Sequence, residues 1–259
     1  MCSAKTARLG ALLVAALIAV AAEAYGQPLT VAAASDLQSA LPAITAVFEK
    51  ESGQKVTVTF GSSGNFFTQI SNGAPFDVFL SADLEYPQRL EAAGLAERGS
   101  VVEYARGRLV IWTRRDSGID VARGLPVLGE PKVRRIAIAN PDHAPYGRAA
   151  IAALRADGLY ERVKTKFIVG ENISQTAQFA QSGGADVGLI ALSLALSPAL
   201  KDAGVTADVP VEKYPPIRQA AAVVAASKQK TAARQFIDAL RAPAIAKILA
   251  SYGFDLPPR

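Results

Sequence analysis

Short apolar runs alternate with amphipathic stretches of about 8–15 residues along the chain, and this alternation predicts an α/β fold: parallel sheets with helices on both faces. Two further observations agree. Gly, Ser and Pro gather where strands end and helices begin, and no internal repeat or low-complexity stretch interrupts the pattern.

Taken in order, Leu29 to Ala34 is a buried-strand run. Leu37, Leu41, Ile44 and Phe48 form a helical stripe, with Pro42 at a position where a short turn can give way to a helix. Lys55 to Phe60 alternates like a strand, and Asn65 to Asn72 reads as a helix stopped by Gly73. Strand Asp77 to Leu80, helix Tyr86 to Ala93 and strand Arg108 to Trp112 follow, and Trp112 is most simply a core residue. Arg135 to Ala139, Phe167 to Val169 and Asp186 to Ile190 are further strands, interleaved with helices Gly147 to Ala156 and Ile173 to Gln181. A last strand, Ala220 to Ala225, precedes helices at Thr231 to Leu240 and Pro243 to Ser251.

The N-terminus is of another kind. Lys5 and Arg8 precede an apolar run of about 14 residues, Leu9 to Ala22, and then small residues around Ala22-Glu23-Ala24. This is the order of a secretory signal peptide, with cleavage expected after Ala24 or Gly26, and the run is shorter than the ~20 residues of a membrane span. Residues 1–26 are therefore expected to be removed and the remainder exported. Cys2 is the sole cysteine, so the mature chain would have no disulfide. Its ~230 residues suffice for one large domain or two modest ones.

The formal charge is +5, and with the signal segment removed about +4. Arg114-Arg115 and Arg134-Arg135 are pairs rather than stripes, with no interleaved aromatics, which argues against nucleic acid. A diffuse positive field of this kind attracts anions and is screened by salt.

Four strand-to-helix junctions share one chemistry: Ala34-Ser35-Asp36, Phe60-Gly61-Ser62-Ser63-Gly64-Asn65, His143-Ala144-Pro145-Tyr146-Gly147 and Gly170-Glu171-Asn172-Ile173-Ser174. Each opens a helix with a short donor-bearing side chain or with backbone amides freed by small residues. The first N–H groups of a helix are unpaired and carry the positive end of its dipole, which makes such ends anion sites. Asn172 followed by Gln175 is also a plain capping pair. A nucleophile reading of Ser62-Ser63 lacks the Gly-x-Ser-x-Gly spacing, and its base would have to be His143, the only histidine, which a polar loop more often leaves solvated or capping. One histidine and no mature cysteine leave little for a metal. Binding is favoured over catalysis.

These junctions, with Val31-Ala32-Ala33-Ala34-Ser35, Ala74-Pro75-Phe76-Asp77-Val78-Phe79-Leu80-Ser81-Ala82-Asp83, Asn140-Pro141, Ala144-Pro145-Tyr146-Gly147-Arg148 and Gly170-Glu171-Asn172-Ile173-Ser174-Gln175, resemble the periplasmic molybdate-binding proteins of ABC importers, in the same order over nearly the whole mature chain. The resemblance implies a two-lobed type II periplasmic-binding fold with two hinge crossovers, near Glu103–Arg106 and Tyr214–Arg218, giving one lobe from 27–105 and 218–259 and a second from 106–217. It implies a non-enzymatic, monomeric periplasmic receptor without a cofactor, whose ligand is molybdate, with the nearly isosteric tungstate, and whose partner is a membrane permease. The implied ligand donors are Ser35 and Ser63, through hydroxyl and N–H, and the backbone N–H groups of Tyr146 and Ile173. Many relatives carry a tyrosine where this chain has Ala191, so the role of the Tyr146 phenol stays open. A site built of donors alone prefers fully deprotonated dianions, because a protonated anion would lack an acceptor. A receptor for sulfate or another tetrahedral oxyanion, and a ligand sensor on the same fold, are the alternatives.

Overall fold

The computed structural model describes residues 27–257; the expected signal segment and Cys2 lie outside them. The described chain forms two five-stranded sheets. The first contains β1 (Leu29–Ala34), β2 (Val56–Gly61), β3 (Val78–Ser81), β4 (Val102–Gly107) and, from the far end of the chain, β10 (Ile217–Val223). The second contains β5 (Leu109–Arg114), β6 (Ile136–Ala139), β7 (Phe167–Gly170), β8 (Val187–Ala191) and β9 (Gly204–Asp208). Their strand orders, β2-β1-β3-β10-β4 and β7-β6-β8-β5-β9, follow one plan.

The helices that flank the first sheet are α1 (Leu41–Ser52), α2 (Ser63–Ser71) and α3 (Glu85–Ala92). Those of the second are α4 (Pro145–Ala156), α5 (Tyr160–Val163), α6 (Ile173–Gln181), α7 (Leu192–Ala195) and α8 (Pro198–Lys201), and α9 (Lys230–Ala239) and α10 (Pro243–Ser251) close the chain. The start of α1 shows how local chemistry sets an element. Ser35–Leu37 form a single 3-10 turn, Pro42 then sits in the first turn of α1, where its missing N–H leaves no bond unmade, and Gly53 ends the helix at φ 72°. Leu37, Leu41, Ile44 and Phe48 are all buried, and the Phe48 ring meets Phe236 of α9 edge-on at 5.0 Å. Alternate residues of β1 serve two cores: Val31 and Ala33 face one cluster with Phe48 and Phe236, and Ala32 faces another with Phe66 and Phe79. Trp112 is fully buried in the core of the second sheet, with its indole N–H on the Leu200 carbonyl at 3.3 Å.

Three expectations need correction. The sheets are not purely parallel: β10 runs antiparallel to β3 and β4, and β5 antiparallel to β8 and β9. The register gives the reason. Leu109, at the start of β5, pairs with Ala191 at the carboxyl end of β8, and Ala220 in β10 pairs with Ser81 at the carboxyl end of β3. The chain enters each sheet from the edge at which the parallel strands finish, so the strand that enters must run the other way. Secondly, Glu103–Arg106 is not a crossing segment but part of β4, a strand the sequence pattern did not reveal; the chain leaves the first sheet at Arg108. The return falls between the end of β9, also unforeseen, and Ile217, so that the segment placed at Tyr214–Arg218 already runs into β10.

Candidate functional site

The parallel strands of both sheets deliver their loops to the gap between the sheets, the edge at which open α/β sheets bind ligands. β1 ends in the Ser35–Leu37 turn and β2 opens directly into α2; across the gap, β6 leads to α4 and β7 to α6. The four junctions meet at one pocket, whose lining includes Ser35, Ser63, Tyr146 and Ile173, together with Asp36 and Ser62. All four residues expected to hold a ligand are thus brought together, and each is at most 4 % exposed.

Three helix N-termini point at this space. Ser63 is the first residue of α2, Tyr146 the second of α4 and Ile173 the first of α6, so their amides belong to the unpaired set at a helix start. None of the three helices has an acidic residue in its own first turn to offset the positive end of its dipole. The serine hydroxyls are held by acceptance. Ser63 Oγ accepts the Ala82 N–H at 2.9 Å, and Ser35 Oγ accepts the Ser174 N–H from α6 at 3.3 Å. A hydroxyl fixed as an acceptor in this way keeps its own proton to donate. Asn172 caps α6 by accepting the Gln175 N–H at 3.0 Å, while the Gln175 side chain accepts the Glu171 N–H at 2.7 Å, one residue before the bond of a standard capping box.

The site is not built of donors alone, and this corrects the sequence-based picture. Asp36 is fully buried in the lining, with Oδ2 accepting from the Tyr146 phenol at 3.0 Å and from Gln219 Nε2 at 2.6 Å. Its main-chain carbonyl accepts the Ser193 hydroxyl at 2.7 Å. Among the described residues Oδ1 makes no hydrogen bond of normal geometry, although the Asp36 and Leu37 amides lie near the carboxyl. Burial raises the Asp36 carboxyl from 3.8 to about 7, against the lowering effect of the Tyr146 and Gln219 bonds. The Tyr146 phenol therefore serves Asp36, and burial beside that carboxyl pushes it well above the usual phenol value. Ala191 ends β8 fully buried, one residue before α7, which carries Ser193. Neither Asp36 nor Gln219 was singled out from the sequence: the first reads as an ordinary helix-start acid, the second as a polar residue at the head of an apolar strand.

The rim is tied shut from both sides. Asn65 Nδ2 donates to Glu171 Oε1 at 2.5 Å, and Arg148 pairs with Asp83 at 2.5 Å while its other nitrogen reaches the Tyr86 hydroxyl at 3.3 Å. His143 is not a solvated loop residue: its Nδ1 lies 2.8 Å from Ser62 Oγ, its Nε2 lies 3.6 Å from Glu171, and its carbonyl accepts the Gly64 N–H at 2.8 Å. It does not line the cavity.

The family model described as bacterial extracellular solute-binding protein matches residues 29–255. The molybdate-binding protein ModA of Azotobacter vinelandii is 38 % identical over 249 residues, covering 96 % of this chain and 97 % of that protein, and its namesake from Rhodobacter capsulatus is 36 % identical over 250 residues with the same coverage. Among solved structures, the Azotobacter vinelandii periplasmic molybdate-binding protein superposes with a TM-score of 0.84 at 34 % identity, covering 89 % of this chain and all of that one. The substrate-binding domain of a molybdenum ABC transporter from Clostridium difficile, described there as putative, superposes at 0.68 with 27 % identity, over 89 % of this chain and 99 % of that one. With this match over residues 29–255 and these relatives, the chain belongs to the family of bacterial extracellular solute-binding proteins.

Proposed function

We propose that this protein is the receptor that captures molybdate between its two halves and delivers it to an ABC importer. One observation carries the reading: three helix N-termini and two serine hydroxyls, drawn from both sheets, converge on a single pocket. Such a site supplies hydrogen-bond donors in several directions without a lysine or arginine, which suits a small tetrahedral dianion. The likeness to proteins named for molybdate binding supports that choice among oxyanions.

In this reading Ser35 and Ser63 donate through hydroxyl and N–H, Tyr146 and Ile173 through N–H. The halves act as lobes, 27–105 with 218–259 and 106–217, that close over the ligand about the two crossings. The rim pairs Asn65–Glu171, Ser62–His143 and Asp83–Arg148 form on closure and present one composite surface to a membrane permease. The receptor works as a periplasmic monomer after removal of residues 1–26, needs no cofactor, and accepts tungstate about as well as molybdate because the two anions are nearly the same size.

Titration calorimetry of the mature protein with molybdate, tungstate, sulfate and phosphate tests this. Tight binding of the first two with weak binding of the others is expected. A preference for sulfate would keep the receptor and change its ligand, and silence towards all four would end the oxyanion reading.

A further inference from the structure

Asp36 is out of place in a site for anions. A carboxylate in the lining repels a bound dianion, yet the residue is fully buried there, and the fold anchors it from four elements. Tyr146 reaches it from α4 and Gln219 from β10; Gln219 Oε1 in turn accepts the Tyr104 hydroxyl from β4 at 3.3 Å, and Ser193 of α7 holds the main chain. Among the described residues, Oδ1 alone of the Asp36 oxygens makes no hydrogen bond of normal geometry. A buried polar atom left unsatisfied amid such anchoring asks for a partner that arrives later.

We propose that Asp36 is a further residue of the binding site, the one that fixes the proton count of the complex: bound anion and carboxyl hold one proton between them, seated at Oδ1. The inference rests on the oxyanion reading above. A dianion such as molybdate brings no proton, so Asp36 takes one from solvent and changes from a repelling charge to a neutral donor. The singly charged conjugate acid of the same dianion brings its own, and an ionised Asp36 accepts it. Either way the complex contains the same atoms and the same charge.

The surroundings permit this. Titratable groups facing Asp36 are the phenols of Tyr146 and Tyr104, with Tyr214 behind Tyr146, and burial pushes Tyr146 and Tyr104 well above the usual phenol value and Tyr214 upward. The charged side chains of β4 and β10 are engaged elsewhere: Glu103 pairs with Arg106 at 2.9 Å and with Arg218 at 2.5 Å. On α4, Arg148 pairs with Asp83 and Arg155 lies 4.8 Å over the Tyr160 ring. α6 and α7 contribute no charged side chain. No cation is among the groups that perturb Asp36, so the proton itself is the available counter-charge. Burial raises the carboxyl to about 7, which puts the exchange within reach of ordinary buffers.

Molybdate is titrated into the mature protein by calorimetry in buffers of differing ionisation enthalpy, which counts protons directly. At about pH 8.5 the wild type should take up close to one proton per molybdate, and its affinity should fall about tenfold per pH unit above pH ~7.5. Asp36→Asn, whose amide keeps size and hydrogen bonding without a charge, should take up none and bind with an affinity that is constant within about threefold over the same range. Binding by the wild type without proton uptake overturns the proposal and leaves the receptor reading intact. Absence of any oxyanion binding overturns both. If Asp36→Asn fails to fold by circular dichroism, the wild-type proton count alone decides.

Discussion

Ser63 shows how much one side chain is asked to do. The residue is fully buried, its hydroxyl accepts the Ala82 N–H, and it lines the cavity. Ser63→Ala should weaken molybdate binding by more than ~1 kcal/mol, since a hydrogen bond to a charged group is lost. The same change strands the Ala82 amide, so urea denaturation should show a loss of about 1 kcal/mol in stability. Loss of stability with unchanged affinity would leave Ser63 a structural residue only. Residues of this kind were legible beforehand because a serine or a freed amide at a strand-to-helix junction is a local pattern. Asp36 was not, because what makes it unusual arrives from 110 and 183 positions away, in Tyr146 and Gln219. His143 was misread for the same reason: its partner Ser62 lies 81 positions earlier.

Among elements, the close approach of α2 to the loop before α4 is governed by Gly64. A Cβ there would stand 2.6 Å from His143 Cβ and 2.8 Å from its Cα, and backbone cannot step aside as a flexible side chain does. Gly64→Ala should therefore prevent full closure: molybdate affinity falls at least tenfold, and small-angle scattering of the liganded protein shows a larger radius of gyration than wild type, with the lobes themselves intact. Equal radii with and without the methyl group would refute the steric argument. Element by element, the sequence pattern located most helices and strands within one or two residues and passed over the short helices α5, α7 and α8 and the strands β4 and β9. Both of these strands lie at sheet edges. An edge needs no apolar side chains on its open flank and favours charges there, as Glu103 and Arg106 illustrate, so its sequence reads like a loop.

For the molecule as a whole, Asp36 ties stability to pH. Its folded value of about 7 lies above the 3.8 of an unperturbed carboxyl, so the folded state holds the proton more tightly than the unfolded chain does. This contribution is complete below pH ~4 and is lost as pH rises to ~7, amounting to roughly 4 kcal/mol at most. Asp83, raised by burial against the pull of Arg148, acts in the same direction. Glu49, lowered by Lys55, and Glu97, lowered by Arg234, act the other way, their stabilisation fading as pH falls through the carboxylate range. Urea unfolding of the ligand-free protein between pH ~4.5 and ~7.5 should show stability declining with pH in the wild type and nearly level in Asp36→Asn. A level profile in the wild type would mean that Asp36 is ionised throughout. The two-lobed plan could be anticipated from the family resemblance, whereas the reversed strands β5 and β10 could not, since direction follows from where the chain re-enters a sheet and leaves no mark on the residues themselves.

The strand order also sets a timetable for synthesis. β4 lies at the edge of its sheet with β10 as its one neighbour there, and the isolated bridge from Arg106 runs to Asp255, still later in the chain. Every backbone partner of β4 is thus made after the entire second sheet, β5 to β9, has left the ribosome. The second half can be completed from one uninterrupted stretch of polypeptide, while the first must wait with β3 and β4 apart until β10 slots between them. Truncation between Asp208 and Ile217 leaves the first half without its closing strand and the second with all of its own.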